Sequence, residues 1–149
     1  MSERVVSCGV VLLTPDGRVL LAHATGTNHW DIPKGHGEAG EEPAVTALRE
    51  LVEETNITLG VERLKDLGRF VYRRDKDLHL FAVRARSNEL DLTSCTCTSL
   101  FPRRSDGVMI PEMDAYRWCR PDEVERYASR SLTRVFQTTL SLAELHQSL

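Results

Sequence analysis

Long apolar runs are absent from the sequence: no stretch approaches the roughly 20 residues that a helix needs to cross a bilayer. The start of the chain, MSERVVSCGVVLLTPDG, breaks at a Pro-Asp-Gly turn and lacks a small-residue cleavage site after a long apolar stretch. We therefore interpret it as a first strand and not as a signal peptide. No membrane partner is expected.

A large net charge is also absent. The 149 residues carry a formal charge of −3, whereas general binders of nucleic acids or membrane surfaces are usually basic. We therefore expect no stable nucleic-acid partner. A small anionic substrate that is held locally through a metal ion is compatible with this charge.

Cysteine is scarce, and its spacing argues against two common roles. The four cysteines are Cys8, Cys95, Cys97 and Cys119. No CxxC pair indicates structural zinc, and Cys95 and Cys97 are too close in sequence for an easy disulfide. Reduced thiols and a cytoplasmic location are therefore expected. The TSCTCTS stretch around Cys95 and Cys97 has no assigned role, with a plain loop and a soft-metal site as the alternatives.

Internal repeats and low-complexity linkers are absent too, and the length suits one domain over residues 1–149. Apolar, β-branched runs separated by turn signals predict strands at 7–14, 18–24, 30–32, 63–74, 77–85 and 116–119. Apolar periodicity and capping residues predict helices at 43–55, 120–128 and 131–147, and residues 89–114 are expected to form a long irregular loop. This order of elements predicts a layered α/β (α+β) fold with a mixed sheet.

The predicted helix at 43–55 is crowded with acid. On a helical wheel, its expected buried arc holds Ala44, Val45, Leu48, Leu51 and Val52. Glu50, Glu53 and Glu54 share the opposite face, where like charges destabilise an isolated helix by about 0.2–0.5 kcal/mol per pair. A solvated face is one explanation. The other is a divalent cation such as Mg²⁺, which prefers carboxylate oxygens and binds substrate phosphates.

Fixed gaps connect this helix to the glycine-rich loop before it. The residues in register are Gly35, Glu41, Arg49, Glu50, Leu51, Glu53, Glu54 and Ile57. In this spacing the chain resembles the Nudix hydrolase signature, and NHWDIPKGHGEAGE followed by TALRELVEET is similar to the diadenosine tetraphosphate hydrolase branch. Asn56 departs from the pattern, because it stands where the family has a glycine. Asparagine also suits a left-handed helix C-cap, so this departure concerns the turn more than the chemistry.

The resemblance implies an α/β/α sandwich with a mixed central β-sheet and a hydrolase that depends on Mg²⁺ or Mn²⁺. The implied metal ligands are Glu50, Glu53, Glu54 and the backbone of Gly35, and the implied braces of the loop and helix are Arg49 and Glu41. One of the glutamates is expected to activate water. A further acid is expected from a late loop: Glu112 is the candidate, with Asp114 behind it, and a solvated loop acid is the alternative.

Substrate contacts are less specific in the sequence. Candidate phosphate partners are Lys34, His36, Arg73, Arg74 and Lys76. Recognition of a base needs a stacking ring, for which Tyr72 is preferred over Trp30 and Phe70, since the last two suit core packing.

The preferred substrate is a dinucleoside polyphosphate such as diadenosine tetraphosphate, which such enzymes split into ATP and AMP. Several alternatives stay open: a nucleoside triphosphate, ADP-ribose or another nucleotide sugar, a 5′-capped RNA, and a nucleotide-sensing module without catalysis. The partner is expected to be a small nucleotide, and the protein a monomer or a homodimer.

Overall fold

A mixed β-sheet forms the centre of the computed structural model, which describes residues 4–149. The strands in this part of the chain are β1 (Val5–Leu13), β2 (Val19–Ala24), β3 (Trp30–Asp31), β4 (Lys34–His36), β5 (Lys65–Arg73), β6 (Lys76–Arg84), β7 (Leu100–Pro102), β8 (Met109–Pro111) and β9 (Met113–Cys119). The main sheet runs β3-β2-β1-β6-β5, with β4 paired to β1 and β9 paired to β2. Only β1 and β6 are parallel among the described pairs. The strands predicted on either side of the Pro-Asp-Gly turn pair as the antiparallel hairpin β1–β2, and those around Asp75 pair as the antiparallel β5–β6.

The central strand β1 is buried on both faces. Val11 and Leu13 pack into one hydrophobic cluster, whereas Val10 and Leu12 pack into another, and all four are 0% exposed. Successive side chains of a strand point to opposite faces. A strand that is covered by helices on both sides needs apolar side chains on both faces, and this explains the continuous apolar run in the sequence.

Helices cover the two faces of the sheet. They are α1 (Pro43–Thr55), α2 (Val124–Tyr127), α3 (Arg130–Thr138) and α4 (Leu142–Ser148) within residues 4–149. Helix α1 packs into the cluster with Val10 and Leu12, and α2 to α4 pack into the cluster with Val11 and Leu13. The expected α/β/α sandwich with a mixed sheet is thereby confirmed. No helix among the described residues is long and apolar enough to cross a membrane, and all four cysteines are free thiols.

Two predicted elements of the second half are wrong in detail. The single helix expected at 131–147 is two helices, because Ser141 interrupts the first and caps the second by accepting the Glu144 N–H at 3.2 Å. The loop expected at 89–114 contains the β7–β8 hairpin. A short antiparallel ribbon with proline and glycine at its ends carries too weak a pattern to be distinguished from a loop.

The buried face of α1 also differs from the prediction. Its buried residues are Thr46, Ala47, Leu51, Glu54 and Thr55, whereas Val45 and Val52 are 51% and 37% exposed. The helix is therefore rotated relative to the expected arc. As a result, one of the three acidic side chains points into the protein and not away from it.

Candidate active site

Glu54 is the acidic side chain that the fold buries. It is 1% exposed, and its Oε2 accepts the backbone N–H of Lys34 at 3.0 Å. Burial raises its pKa to about 8, and the charges of Glu50 and Glu112 add to this effect against the opposing charge of Lys34. A buried carboxyl with such a pKa is a common property of functional sites.

Arg49 joins the glycine-rich loop to α1. Its Nε and Nη2 donate to the two oxygens of Glu41 at 2.9 and 3.0 Å, and Nη2 also donates to the carbonyl of His36 at 3.0 Å. Glu41 Oε1 accepts further hydrogen bonds from Thr46 Oγ1 at 2.7 Å and from the Glu38 N–H at 3.0 Å. These bonds lower the pKa of Glu41 to about 2. The pair thus ties the loop to the first turns of the helix.

The remaining amino group of Arg49 contacts the other two glutamates. Nη1 donates to Glu50 at 3.0 Å and to both oxygens of Glu53 at 3.3 Å. Glu50 also presses against Gly35, since a Cβ on residue 35 would lie 2.1 Å from the Glu50 Cδ. Only glycine therefore leaves room for this carboxylate beside β4.

Glu112 lies near the same acidic group. Its charge raises the pKa of both Glu50 and Glu54, although burial is the larger cause for each, followed for Glu50 by the charge of Glu53. Its backbone N–H donates to the carbonyl of Ser99 at 2.8 Å. The structure therefore brings this late-loop acid to the acidic cluster, which we define as Glu50, Glu53, Glu54 and Glu112.

The acidic cluster has the oxygen chemistry that a hard divalent cation prefers. The charges of Glu53 and Glu112 add to the burial that raises the pKa of Glu50, and those of Glu50 and Glu112 add to it for Glu54, and a bound cation would offset this repulsion. Among residues 4–149, no group of three or more His, Cys, Asp or Glu side chains is already arranged as a metal cage. Binding would therefore redirect the oxygens that now accept from Arg49.

The end of α1 that carries these glutamates is held by a distant segment. The backbone N–H groups of Thr96 and Thr98 donate to the carbonyls of Thr55 and Glu53 at 3.2 and 2.7 Å. Carbonyls in the last turn of a helix otherwise lack partners. Asn56 closes the helix in the left-handed conformation, with φ of 65°. This is the C-cap conformation that was predicted for an asparagine at the position where the family has a glycine. The TSCTCTS stretch thus has a structural role that its cysteines do not indicate.

A second group of predicted residues gathers around Tyr72. The Nζ atoms of Lys34 and Lys76 and the Cζ atom of Arg73 each lie 5.6 Å from the centre of its ring. Burial lowers the pKa of Lys76 to about 8, and the charges of Lys34 and Arg73 add to the shift. Burial also lowers the pKa of His36, with further contributions from Lys76, Lys34 and Arg73. We call Lys34, His36, Arg73 and Lys76 the basic cluster.

The expected stacking role of Tyr72 does not fit its position. The residue is 6% exposed, and its hydroxyl donates to Asp31 Oδ2 at 2.6 Å. A base cannot stack on a ring that is already covered. Tyr72 lies at a bulge of β5, between Val71 and Arg73, and a bulge re-aims side chains relative to the regular alternation of a strand. Trp30 and Phe70 are partly buried against the core, as expected.

Two other predicted residues lie outside both clusters. Arg74 is exposed, and its carbonyl accepts from the side chain of Arg4. Asp114 pairs with His23 through the Nδ1 atom of the imidazole. Of the two late acids, Glu112 alone therefore shows an electrostatic link to the glutamates of α1.

Strand β4 connects the acidic and basic clusters. The Lys34 backbone donates to Glu54, while its side chain reaches the Tyr72 ring. The antiparallel pairing of β4 with β1, in which Gly35 is opposite Cys8, holds this short segment in place. Lys34 therefore links the two clusters.

Sequence reasoning missed the buried residues that support these clusters. Asp31 is 5% exposed and accepts from Tyr72 and from Ser129, and Thr46 supports Glu41. Asp31 stands only three residues before Lys34 in WDIPKGH, and this short spacing could have predicted their ion pair. Ser129 gave no comparable signal, because its partner Asp31 lies 98 residues earlier in the chain.

Known proteins share this sequence pattern and fold. Residues 3–137 match the family model described as the NUDIX domain. A segment of 122 residues is 37% identical to an uncharacterized 17.7 kDa protein of Enterobacteria phage T4, and it covers 76% of this chain and 80% of that protein.

Two further relatives have described activities. The chain is 28% identical over 110 residues to the asymmetrical bis(5′-nucleosyl)-tetraphosphatase of Sus scrofa, covering 70% of this chain and 65% of that enzyme. It is 41% identical over 128 residues to the RNA pyrophosphohydrolase of Halorhodospira halophila, covering 74% of this chain and 63% of that enzyme. The chain thus spans less than two thirds of each of these two enzymes.

A solved structure shows the same fold. The Ap4A hydrolase of C. elegans superposes with a TM-score of 0.57 at 21% identity, over 95% of this chain and 96% of that one. The fold, the braced glutamates and the relatives together define a pyrophosphohydrolase. The chain belongs to the Nudix family, on a branch that resembles the diadenosine tetraphosphate hydrolases. Members of this family generally use divalent metal ions and act on nucleotides.

Proposed function

We propose that this Nudix hydrolase cleaves a dinucleoside polyphosphate, with diadenosine tetraphosphate as the best candidate, and releases ATP and AMP. The observation that carries the proposal is the double contact of Lys34, whose backbone holds Glu54 while its ammonium belongs to the basic cluster. Two clusters of opposite charge that share one strand suit a long anionic chain. The similarity to the Sus scrofa tetraphosphatase supports the same substrate class.

In this proposal the acidic cluster holds Mg²⁺ or Mn²⁺. Glu50, Glu53 and Glu54 would supply side-chain oxygens, the Gly35 backbone would add a carbonyl oxygen, and Glu112 would contribute from the late loop. When bound, the ion neutralises phosphate oxygens and lowers the pKa of water.

The protein residues perform the remaining tasks. One glutamate of the acidic cluster accepts the proton of the attacking water. The basic cluster offsets the charge of the polyphosphate that lies away from the acidic cluster. Arg49 and Glu41 keep the glycine-rich loop and α1 in register. The buried Tyr72 supports the cations and does not stack on a base.

RNA 5′-pyrophosphohydrolysis is the second candidate function. The 41% identity to the enzyme of Halorhodospira halophila favours it. A 5′-triphosphate on RNA presents a similar anionic chain to both clusters, but only one end of that chain carries a nucleoside. The net charge of −3 disfavours extended contacts with an RNA backbone.

The test is a substrate panel with product identification. Diadenosine tetraphosphate, ATP, ADP-ribose and a 5′-triphosphorylated RNA are each incubated with the protein and Mg²⁺, and the products are separated by ion-exchange chromatography. We expect ATP and AMP in equal amounts from the first compound, and slower turnover of the other three. Faster release of pyrophosphate from the RNA would favour the second candidate. Tight binding without turnover of any compound would indicate a sensing module.

Two matched variants test the metal assignment. Glu54→Gln removes a carboxylate of the acidic cluster, and we expect a loss of kcat of about 100-fold or more, as for groups that stabilise charge in a transition state. Glu62→Gln makes the same change at an exposed position of the 3₁₀ turn Val61–Arg63 and should retain activity. Parental turnover by the Glu54 variant would show that the metal assignment is wrong.

A further inference from the structure

Asp31 is a buried carboxylate that lies among the cations of the site. Charged residues are seldom buried without partners, and this one, at 5% exposure, has several. Its Oδ1 accepts the Ile32 N–H at 2.9 Å. Its Oδ2 accepts from the Tyr72 hydroxyl at 2.6 Å and from Ser129 Oγ at 3.2 Å, and it lies 3.6 Å from Lys34 Nζ.

The Lys34 ammonium needs such a counter-charge. Its side chain is 16% exposed, and Lys76 and Arg73 lie over the same Tyr72 ring. Like charges in a poorly solvated region repel strongly. The Asp31 carboxylate supplies an opposite charge to this ammonium, with 3.6 Å between its Oδ2 and the Lys34 Nζ.

We infer that Asp31 is a positioning residue, which holds the Lys34 ammonium and the Tyr72 hydroxyl in one arrangement so that the basic cluster meets the polyphosphate beside Glu54. This inference rests on the proposed function, because it requires that Lys34 contact the substrate. Asp31 itself acts through Lys34 and need not touch the substrate.

Two effects of Asp31 oppose each other. Its negative charge repels a polyphosphate, whereas its hydrogen bonds and ion pair fix the cation that attracts one. The contacts indicate which effect dominates. The carboxylate is surrounded by the donors that it binds, which screen its charge from the substrate, and Lys34 lies directly against it. Loss of the carboxylate should therefore weaken substrate binding.

The experiment is a double-mutant cycle with Asp31→Asn and Lys34→Met, measured on diadenosine tetraphosphate at saturating Mg²⁺. Asp31→Asn should raise KM about tenfold, the size expected for coupled side chains of one network, and leave kcat within about twofold. In the Lys34→Met background, the same change should leave KM nearly unaltered. This loss of effect distinguishes positioning of Lys34 from general damage to the fold.

Two further variants separate other causes. Ser141→Ala removes the cap of α4, where Ser141 Oγ accepts the Glu144 N–H at 3.2 Å, so it should lower Tm without raising KM. Asp31→Glu keeps the charge but moves the carboxylate by one methylene, and it should raise KM. It also serves as the test variant if Asp31→Asn does not fold.

The outcomes distinguish this inference from the proposed function. If Lys34→Met keeps the parental KM, the substrate role of Lys34 fails, and the positioning role fails with it. If Lys34→Met raises KM but Asp31→Asn leaves it unchanged or lowers it, only the positioning role is overturned. The positioning role is also overturned if Asp31→Asn raises KM by the same factor in the parent and in Lys34→Met.

Discussion

Replacement of Gly35 by alanine adds one methyl group where β4 faces the Glu50 carboxylate. The new Cβ would lie 2.1 Å from the Glu50 Cδ and 2.3 Å from both of its oxygens. Optimal separation between carbon atoms is about 3.5 Å, so Glu50 must move by about 1.4 Å. The backbone itself tolerates alanine, because Gly35 does not have a positive φ.

A shift of this size matters much more for catalysis than for folding. Site residues must be held within about 0.5 Å of their productive positions, and a misplacement of about 1 Å can reduce the rate about 100-fold. The Glu50 carboxylate is the flexible end of a side chain, so its displacement should cost only about 0.5–1.5 kcal/mol of stability. We expect kcat to fall about 100-fold while Tm changes by a few degrees.

The chain offers a matched control for this clash. A Cβ on Gly60 would lie 2.1 and 2.3 Å from the two carboxylate oxygens of Glu62, but Glu62 is exposed in the 3₁₀ turn and outside the acidic cluster. Both variants are assayed for kcat and KM on diadenosine tetraphosphate at saturating Mg²⁺, together with thermal melting. Gly60→Ala should keep parental kcat. Turnover of Gly35→Ala within about threefold of the parent, or equal losses in both variants, would refute this explanation of the glycine.

Further predictions concern the basic cluster and the two ends of α1. Lys76 has a pKa of about 8, so it loses its proton as the pH rises through that value. The kcat/KM of the parent should therefore fall above pH 8, whereas that of Lys76→Arg should not fall in the same way, because its guanidinium stays charged. Parallel pH profiles of kcat/KM for the two proteins would contradict a contact between Lys76 and phosphate. Glu41 has a pKa of about 2 in the folded protein against 4.5 for the free group, so the stability that it contributes is fully present above about pH 4.5 and is lost as the pH falls through about 2. Glu41→Gln should therefore melt below the parent at pH 7 and converge with it near pH 2, and equal melting at pH 7 would show that the Arg49 bridge adds no stability. Thr98→Pro removes the shorter of two N–H contacts to the Glu53 carbonyl, 2.7 Å against 3.3 Å for Ser99, so hydrogen exchange in the last turn of α1 should accelerate. Thr98→Ser keeps this N–H and a hydroxyl, like the one that binds the same carbonyl at 3.3 Å, so it should match the parent; unchanged exchange in the proline variant would contradict a clamping role.

Local sequence patterns were sufficient for the long strands β1, β2, β5 and β6 and for the braced loop. The alternation of strands around the Pro-Asp-Gly turn predicted the β1–β2 hairpin because both signals arise within a few residues. The fixed gap between Glu41 and Arg49 corresponds to an ion pair across one loop and two helical turns. Such contacts depend on short-range geometry, which spacing specifies well.

Contacts between distant segments were not predictable in the same way. A helical wheel gives the angles between side chains, but it does not show which arc the sheet will cover. Here Glu54 is buried because its oxygen satisfies the Lys34 N–H, an arrangement that hydrophobicity scales do not anticipate. Tyr72 was misjudged for a similar reason, since its hydroxyl partner Asp31 lies 41 residues earlier in the chain.

The β7–β8 hairpin has both of its ends fixed to the same place. Thr98 bonds to the Glu53 carbonyl just before the hairpin, and the Glu112 N–H bonds to Ser99 just after it. The tip between Pro102 and Met109 is therefore insulated from the position of Glu112. Mutations, insertions or deletions in the tip can accumulate without moving a residue of the acidic cluster.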